Sequence, residues 1–193
     1  MALESLSLVE ELDFKVSDQF LRIKGRQTPP SGVVVVAIDE PSYKELNVSF
    51  DKPWPRALHA QMLARLKELG VKRVAFDVLF TGPSSDSAAD QKLADALASV
   101  PTVIGVQSSV RYVSNQGGGY FLEDFDRPYE PFRKAAREAL VGLQDKGGII
   151  RNFPGYRTDQ EKNYPFISQA AAGLQTNATA AFPTGRDLIR YYG

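Results

Sequence analysis

Apolar residues recur at steps of three and four along the first part of the chain. In the segment ALESLSLVEELDFKVSDQFLRIKGR they fall at Leu3, Leu6, Val9, Leu12, Val16, Phe20 and Ile23. This spacing places them on one stripe of an amphipathic helix. Gly25 predicts the end of this helix, and the turn-rich TPPSG predicts a turn or linker after it. We therefore predict a long N-terminal helix over residues 1–25, either laid over the core or acting as a signalling stalk or dimer helix.

Three short apolar runs are typical of buried strands. VVVVAID (33–39), RVAFDVLF (73–80) and TVIGVQ (102–107) are nearly continuous and mostly β-branched, as in strands covered on both faces. Between the first and second runs, apolar residues at helical spacing are followed by Gly70 as a stop; they are Leu58, Met62, Leu66 and Leu69. Between the second and third runs lies a similar stripe with Asp86 or Ser87 as its N-cap; it consists of Ala89, Leu93, Leu97 and Val100. The order β-α-β-α-β predicts a parallel sheet.

The rest of the chain is less regular. We predict that residues 108–130 form either a long loop or an extended excursion that continues the third strand before it turns, and that PFRKAAREA forms a short helix. LVGLQ and GIIRNFPGYR flank DKG, which predicts an antiparallel hairpin. YPFISQAAAGL predicts another helix and DLIRYY a closing strand. The predicted fold class is thus α/β, three-layer, with a central mainly parallel sheet, an added antiparallel hairpin and a long N-terminal helix. Residues 26–193 form a single α/β domain in this prediction.

Composition narrows the function classes. Lys plus Arg equals Asp plus Glu at 23 each, so the chain has no net positive charge that would attract nucleic acid. We therefore do not expect nucleic acid as a partner. The chain has no cysteine, which excludes disulfides, thiolate catalysis and cysteine-bound metals. No run approaches the ~20 apolar residues that span a bilayer, and no signal-peptide core is evident. We expect no cofactor.

The segment DKPWPRALHAQML holds the only tryptophan and the only histidine of the chain, Trp54 and His59, with Arg56 between them. Its helix begins over the carboxyl ends of the parallel strands, where open α/β sheets bind their ligands. Asp39 ends the first predicted strand and Asp77 lies in the second. An acid within VAFDVLF needs a cation or several N–H donors. We therefore predict that Arg56 pairs with Asp77 or Asp39.

This cluster has two interpretations. In the first, it is a structural ion pair that locks the helix to the sheet, with Trp54 as a packed lid. In the second, it is a ligand pocket, or a metal site formed by Asp39, Asp77 and His59, although such scattered ligands form a weak pattern. We predict no catalytic residue: D-x-D after the first strand, H-E-x-x-H, G-x-S-x-G and the P-loop G-K-[ST] are all missing.

Several blocks resemble the type-2 CHASE domain, an extracytoplasmic sensory module found in front of bacterial cyclases, histidine kinases and serine/threonine kinases. They are VVVVAIDEPSYKELN, PWPRALHAQMLARLKELGVKRVAFDVLF, SAADQKLADAL and VIGVQ, then GLQDKGGIIRNFP, YPFISQAAAGL and LIRYYG, in the family's order. The resemblance covers residues 10–193. The positions that match the family's characteristic residues are Asp39, Trp54, Pro55, Arg56, His59, Gly70, Asp77, Phe80, Asp145, Gly148 and Arg151, and Glu40 matches a frequent second acid.

The resemblance implies a periplasmic receptor domain that binds an unknown small molecule or other stimulus. It also implies a homodimer, membrane-spanning helices on both flanks, and an output enzyme elsewhere in the protein. We expect the two signalling states to differ at a dimer contact made by residues 3–24 and 191–193. The alternatives are a metal-dependent hydrolase using Asp39, Asp77 and His59, and a structural dimerisation module without ligand. Ligand identity and output type do not follow from the sequence.

Overall fold

The computed structural model describes residues 32–115, 117–142, 156–158 and 163–173, together with scattered positions between 12 and 28. The chain divides into two units, one of Met1–Ile38 with Ile189–Gly193 and one of Asp39–Leu188. This division does not fall at residue 25, where we predicted the end of the N-terminal helix and the start of the domain. The boundary at residue 25 remains a prediction.

In the first unit, the described positions between 12 and 23 have helical backbone. Much of the predicted helix lies outside the described residues, so a long N-terminal helix is not seen. The strand predicted at 33–39 is wrong, because these residues have no regular secondary structure and their side chains are exposed. Propensity for extended backbone forms a strand only when a neighbouring strand completes the ladder.

The second unit contains a mainly parallel sheet, as predicted. Its strands are β1 (Val74–Phe76), β2 (Thr102–Asn115), β3 (Gly118–Asp126) and β4 (Arg137–Leu140). The first half of β2 pairs in parallel with β1 on one side and β4 on the other. Its second half pairs with β3 in an antiparallel ribbon that continues to Asn115. β2 is therefore both the central strand of the sheet and one arm of this ribbon.

Five helices are described in this unit: α1 (Glu40–Glu45), α2 (Arg56–Glu68), α3 (Ser87–Ser99), α4 (Glu130–Ala135) and α5 (Ile167–Ala171). The two predicted stripes before and after β1 form α2 and α3, which confirms both helices. Gly70 follows α2 with a φ of 74°, a left-handed conformation that glycine adopts without steric penalty. The Asp86 carboxylate caps α3 by accepting the Ala89 N–H at 3.0 Å.

The sheet is covered on both faces. Val103 and Ile104 are adjacent in β2 and both buried, and successive strand residues point to opposite faces. Ile104 packs with residues of α2, α3 and α4. Val103 packs with Ala139 and with Ala170 of α5. Helices therefore lie on both sides of the parallel strands, which agrees with the three-layer prediction.

The later elements agree with the sequence prediction at one point and differ from it at another. The extended alternative for the excursion after residue 107 is confirmed: the strand continues to Asn115, turns, and pairs with β3 over nine residues. Asn163–Pro165 is a strand, β6, which pairs with β5 (Tyr156–Thr158), so α5 begins only at Ile167. The predicted hairpin around DKG and the closing strand DLIRYY lie outside the described residues.

Candidate functional site

Arg56 opens α2 and faces the loop that leaves the carboxyl end of β1. Its Nη1 lies 2.6 Å from Oδ1 of Asp90, a residue of the first turn of α3. Its Nη2 donates to the Gly82 carbonyl at 2.7 Å and approaches the Thr81 carbonyl at 3.4 Å. The guanidinium carbon lies 4.9 Å from the ring centroid of buried Phe132 in α4. One side chain thus joins α2, the loop after β1, α3 and α4.

Asp90 has two further partners. Its Oδ2 accepts the Ser84 backbone N–H at 2.9 Å, and its Oδ1 accepts the Ser84 hydroxyl at 2.6 Å. Burial alone raises the pKa of Asp90, but the hydrogen bonds from Ser84 and Arg56 and the charge of Arg56 lower it overall below its usual 3.8. The carboxylate therefore remains charged at neutral pH. We call Arg56, Asp90 and Ser84 the clasp.

The predicted partners of Arg56 are wrong, because Asp90 takes the position expected of Asp77 or Asp39. Strand β1 ends at Phe76, so Asp77 is exposed rather than embedded in a strand and needs no buried cation. Asp39 caps α1: its Oδ1 accepts the Ser42 N–H at 3.0 Å. The hydrogen bonds from Ser42 lower the pKa of Asp39. Both acids lie on the surface.

His59 is buried one turn after Arg56, with only 2% of its surface exposed. Its ring meets Phe76 and Phe80 edge-on, with centroids 5.6 and 5.1 Å apart. Burial first, and the nearby Arg56 charge second, lower the pKa of His59 to about 4. The imidazole is therefore neutral at pH 7 and serves as an aromatic core residue.

Trp54, the predicted lid on the Arg56 cluster, contacts α1. Its ring meets Tyr43 of α1 edge-on at 4.8 Å, and Tyr43 stacks on Phe50 at 4.3 Å. The tryptophan thus joins the segment before α2 to α1. Pro55 precedes α2 as its N-cap, so the prolines of this motif have a structural role at the start of the helix.

The clasp has little capacity for a ligand. The guanidinium is surrounded by a carboxylate, two carbonyls and an aromatic face, and both Arg56 and Asp90 side chains are about nine-tenths buried. No group of three His, Asp or Glu side chains suited to a metal occurs in the part of the chain that the structure describes. The geometry therefore corresponds to the structural interpretation of the cluster.

A cleft of about 590 Å³ lies at the opposite, amino-terminal edge of the parallel strands. Its lining includes Arg73, Lys134 and Arg137, next to the last residues of α3, α4 and α5. Arg73 donates to the Ala171 carbonyl at the end of α5, and Lys134 pairs with Glu130 at 2.8 Å. Cations stabilise helix carboxyl ends, which gives Arg73 at the end of α5 and Lys134 in the last turn of α4 structural roles there.

The sequence prediction missed Asp90 and Ser84. One signal was available: Asp90 precedes Leu93, Ala94 and Leu97 at steps of three, four and seven, so it lies on the buried stripe of its own helix. An acid on such a stripe requires a buried partner. The second group of predicted residues, Asp145, Gly148 and Arg151, lies outside the described residues.

Comparison with protein families now identifies this α/β domain. The family described as the CHASE2 domain matches residues 1–193. The chain belongs to the CHASE2 family, whose members are extracytoplasmic sensory domains. Comparisons with curated proteins and with solved structures give no match. Among the described residues, no helix combines the length and the apolar character that crossing a bilayer requires.

Proposed function

We propose that this domain is the sensor of a bacterial transmembrane signalling receptor, located in the periplasm. It detects a small molecule or another stimulus and passes a conformational change to a cytoplasmic cyclase or kinase. The observation that carries this proposal is the family match over the whole chain. The clasp around Arg56 agrees with it, because Arg56 and Asp90 are engaged with each other and with the Gly82 carbonyl and Ser84.

Signalling of this kind requires two states of the domain. A stimulus shifts their populations only by the difference in its interaction with each state. The clasp fixes the start of α2 to the start of α3, so we expect these two helices to move together. The states then differ where less tightly joined elements meet, and residues 3–24 and 191–193 remain our candidates for transmitting the change.

The other two candidate functions have less support. For the hydrolase, Asp39 is engaged as a helix cap and His59 is buried between phenylalanines. These positions do not favour a metal shared with Asp77. A structural dimerisation module without ligand agrees with the same fold, and it differs from a sensor only in its response to a stimulus.

Thermal unfolding with a panel of periplasmic small molecules, metal ions and pH values tests for a stimulus. A ligand at one hundred times its dissociation constant stabilises the folded state by about 2.7 kcal/mol. At least one reproducible, saturable shift is expected of a sensor. Parallel incubation with ester, phosphoester and peptide substrates tests the hydrolase, for which turnover above buffer would be required.

A chimeric receptor separates a sensor from a binding module. Residues 1–193 replace the sensory domain of a receptor whose cytoplasmic output is measurable, and cells receive the compound found in the thermal screen. We expect the output to change with the same concentration dependence as the thermal shift. A saturable shift without any change of output would mean binding without signalling, and would contradict the proposal.

A further inference from the structure

The β2–β3 ribbon presents an aromatic face to solvent. Residues opposite each other in an antiparallel pair share a face, and here Val110 faces Glu123, while Tyr112 faces Phe121. The exposed fractions of Val110, Tyr112 and Phe121 are 57, 60 and 75%. The Tyr112 and Phe121 rings contact each other, with centroids 5.3 Å apart. We call Val110, Tyr112 and Phe121 the aromatic face.

The base of the ribbon is anchored to the core, and its outer part has the exposed aromatic face. Phe125 of β3 stacks on buried Tyr164 at 5.5 Å, which ties the base to the core. From there the ribbon continues to the Asn115–Gly118 pair. An isolated two-stranded ribbon is only marginally stable in water, and large exposed aromatic side chains are unfavourable there. Both features favour a partner that covers the aromatic face.

We infer that this partner is a second copy of the chain, whose aromatic face packs on the first across a two-fold axis. A two-fold contact joins a patch to itself, so the patch must be self-complementary. The aromatic face satisfies this condition, because its three side chains are uncharged and Glu123, which pairs with Val110, is half-buried. The opposite face has Arg111 and Asp124, which already pair at 2.6 Å. The chain also has no net charge to oppose self-association.

The area involved predicts a weak dimer. With full side-chain areas of about 150–250 Å², the exposed fractions of the three residues amount to roughly 350 Å² per copy. Two copies therefore bury roughly 700 Å² through these side chains, which is less than a specific, stable interface buries. In a receptor whose chains are tethered side by side, the millimolar effective concentration populates such a contact.

Cross-linking tests the face directly, because the chain has no cysteine. Phe121→Cys places one thiol on the aromatic face of residues 1–193. Tyr120→Cys is the matched control, since Tyr120 is the next residue of β3, is 52% exposed and points to the opposite face. A short bismaleimide should link Phe121→Cys into dimers at least ten times faster than Tyr120→Cys. Equal rates would overturn the inference.

Sedimentation equilibrium at concentrations up to about 1 mM, the effective concentration in a tethered receptor, gives the energetic test. Phe121→Lys should raise the dimer dissociation constant at least ten-fold, and Tyr120→Lys less than three-fold, with unchanged thermal midpoints for both. Tyr112→Lys repeats the test if Phe121→Lys does not fold. A monomer at every concentration would overturn the inference. So would a dimer that Phe121→Lys leaves intact and removal of residues 1–31 abolishes, since the contact would then lie in the N-terminal segment.

Discussion

Arg56 and Asp90 form a buried ion pair with 2.6 Å between Nη1 and Oδ1, and it joins the first turns of α2 and α3. Only 11% and 7% of the two side chains are exposed. Removing one member of a buried pair strands the other charge away from water. The pair therefore joins the two helices next to the sheet through an interaction between charges. Its contribution to the free energy of unfolding can be measured.

Arg56→Ala should lower the free energy of unfolding by about 3 kcal/mol, since it leaves Asp90 with only its Ser84 donors. Arg56→Lys should cost about half as much, because an ammonium group lacks the planar fork that reaches both Asp90 and the Gly82 carbonyl. Urea unfolding followed by circular dichroism measures both. Arg65→Ala is the control: its pair with Glu68 is exposed, so the change should stay within about 0.5 kcal/mol. A similarly small effect of Arg56→Ala would contradict the clasp.

Ser84→Ala should lower the free energy of unfolding by about 1 kcal/mol, because it removes the hydroxyl that donates to Asp90 at 2.6 Å. Ser99→Ala is the matched control. Its hydroxyl donates to the Ala96 carbonyl on an exposed part of α3, so its loss should be within about 0.5 kcal/mol. Equal effects of the two substitutions would mean that the Ser84 hydroxyl has no special role.

His59 should make stability depend on pH between about 6.5 and 4. Its pKa is lowered from 6.5 to about 4 in the folded state, so within this range the unfolded chain binds a proton that the folded chain does not. Stability is complete above pH 6.5 and falls as the pH decreases to about 4, by a total on the order of 3 kcal/mol.

Unfolding free energies measured between pH 7.5 and 4 test this dependence. His59→Phe should flatten the curve in that range, because this is the only histidine of the chain. Asp90→Asn serves as the control: the pKa of Asp90 is lowered below 3.8, so its own contribution is lost only at still lower pH. An unchanged slope in His59→Phe would refute the assignment.

Gly105→Ala should destabilise the sheet by about 1–3 kcal/mol. A Cβ at this buried position of β2 would lie 2.9 Å from Val141 Cγ1 and 3.1 Å from the Val78 carbonyl oxygen. Gly32→Ala is the control, since a Cβ there has open space. Thermal unfolding of the two variants compares them. If Gly105→Ala is as stable as Gly32→Ala, β2 does not approach Val141 and Val78 as closely as the structure shows.

Much of the second unit follows from local patterns. The stripes of α2 and α3 and the Asp86 cap each depend on residues within a few positions of each other, and propensity and periodicity report such relationships well. The parallel pairing of β1 with β2 follows from the helix between them. These elements were predictable because local preference and the final fold agree.

The errors concern relationships between distant residues. The run 33–39 has strong strand propensity, but propensity does not supply a neighbouring strand. The partner of Arg56 depends on where β1 ends: it ends at Phe76, and the loop then turns Ser84 and α3 toward the arginine. The Gly82–Pro83 dipeptide indicates a turn in this loop, but a pattern along the chain does not tell which residues the turn brings to Arg56. The sequence did predict that Arg56 would join an acid near the carboxyl edge of the sheet, but named the wrong acid.

Two double-mutant cycles test the central structural claim most directly. One combines Arg56→Gln with Asp90→Asn, and the other combines Arg56→Gln with Asp77→Asn, with unfolding free energies measured for every variant. The account predicts a coupling of about 1–3 kcal/mol between Arg56 and Asp90, and under about 0.5 kcal/mol between Arg56 and exposed Asp77. A larger coupling to Asp77 than to Asp90 would contradict it.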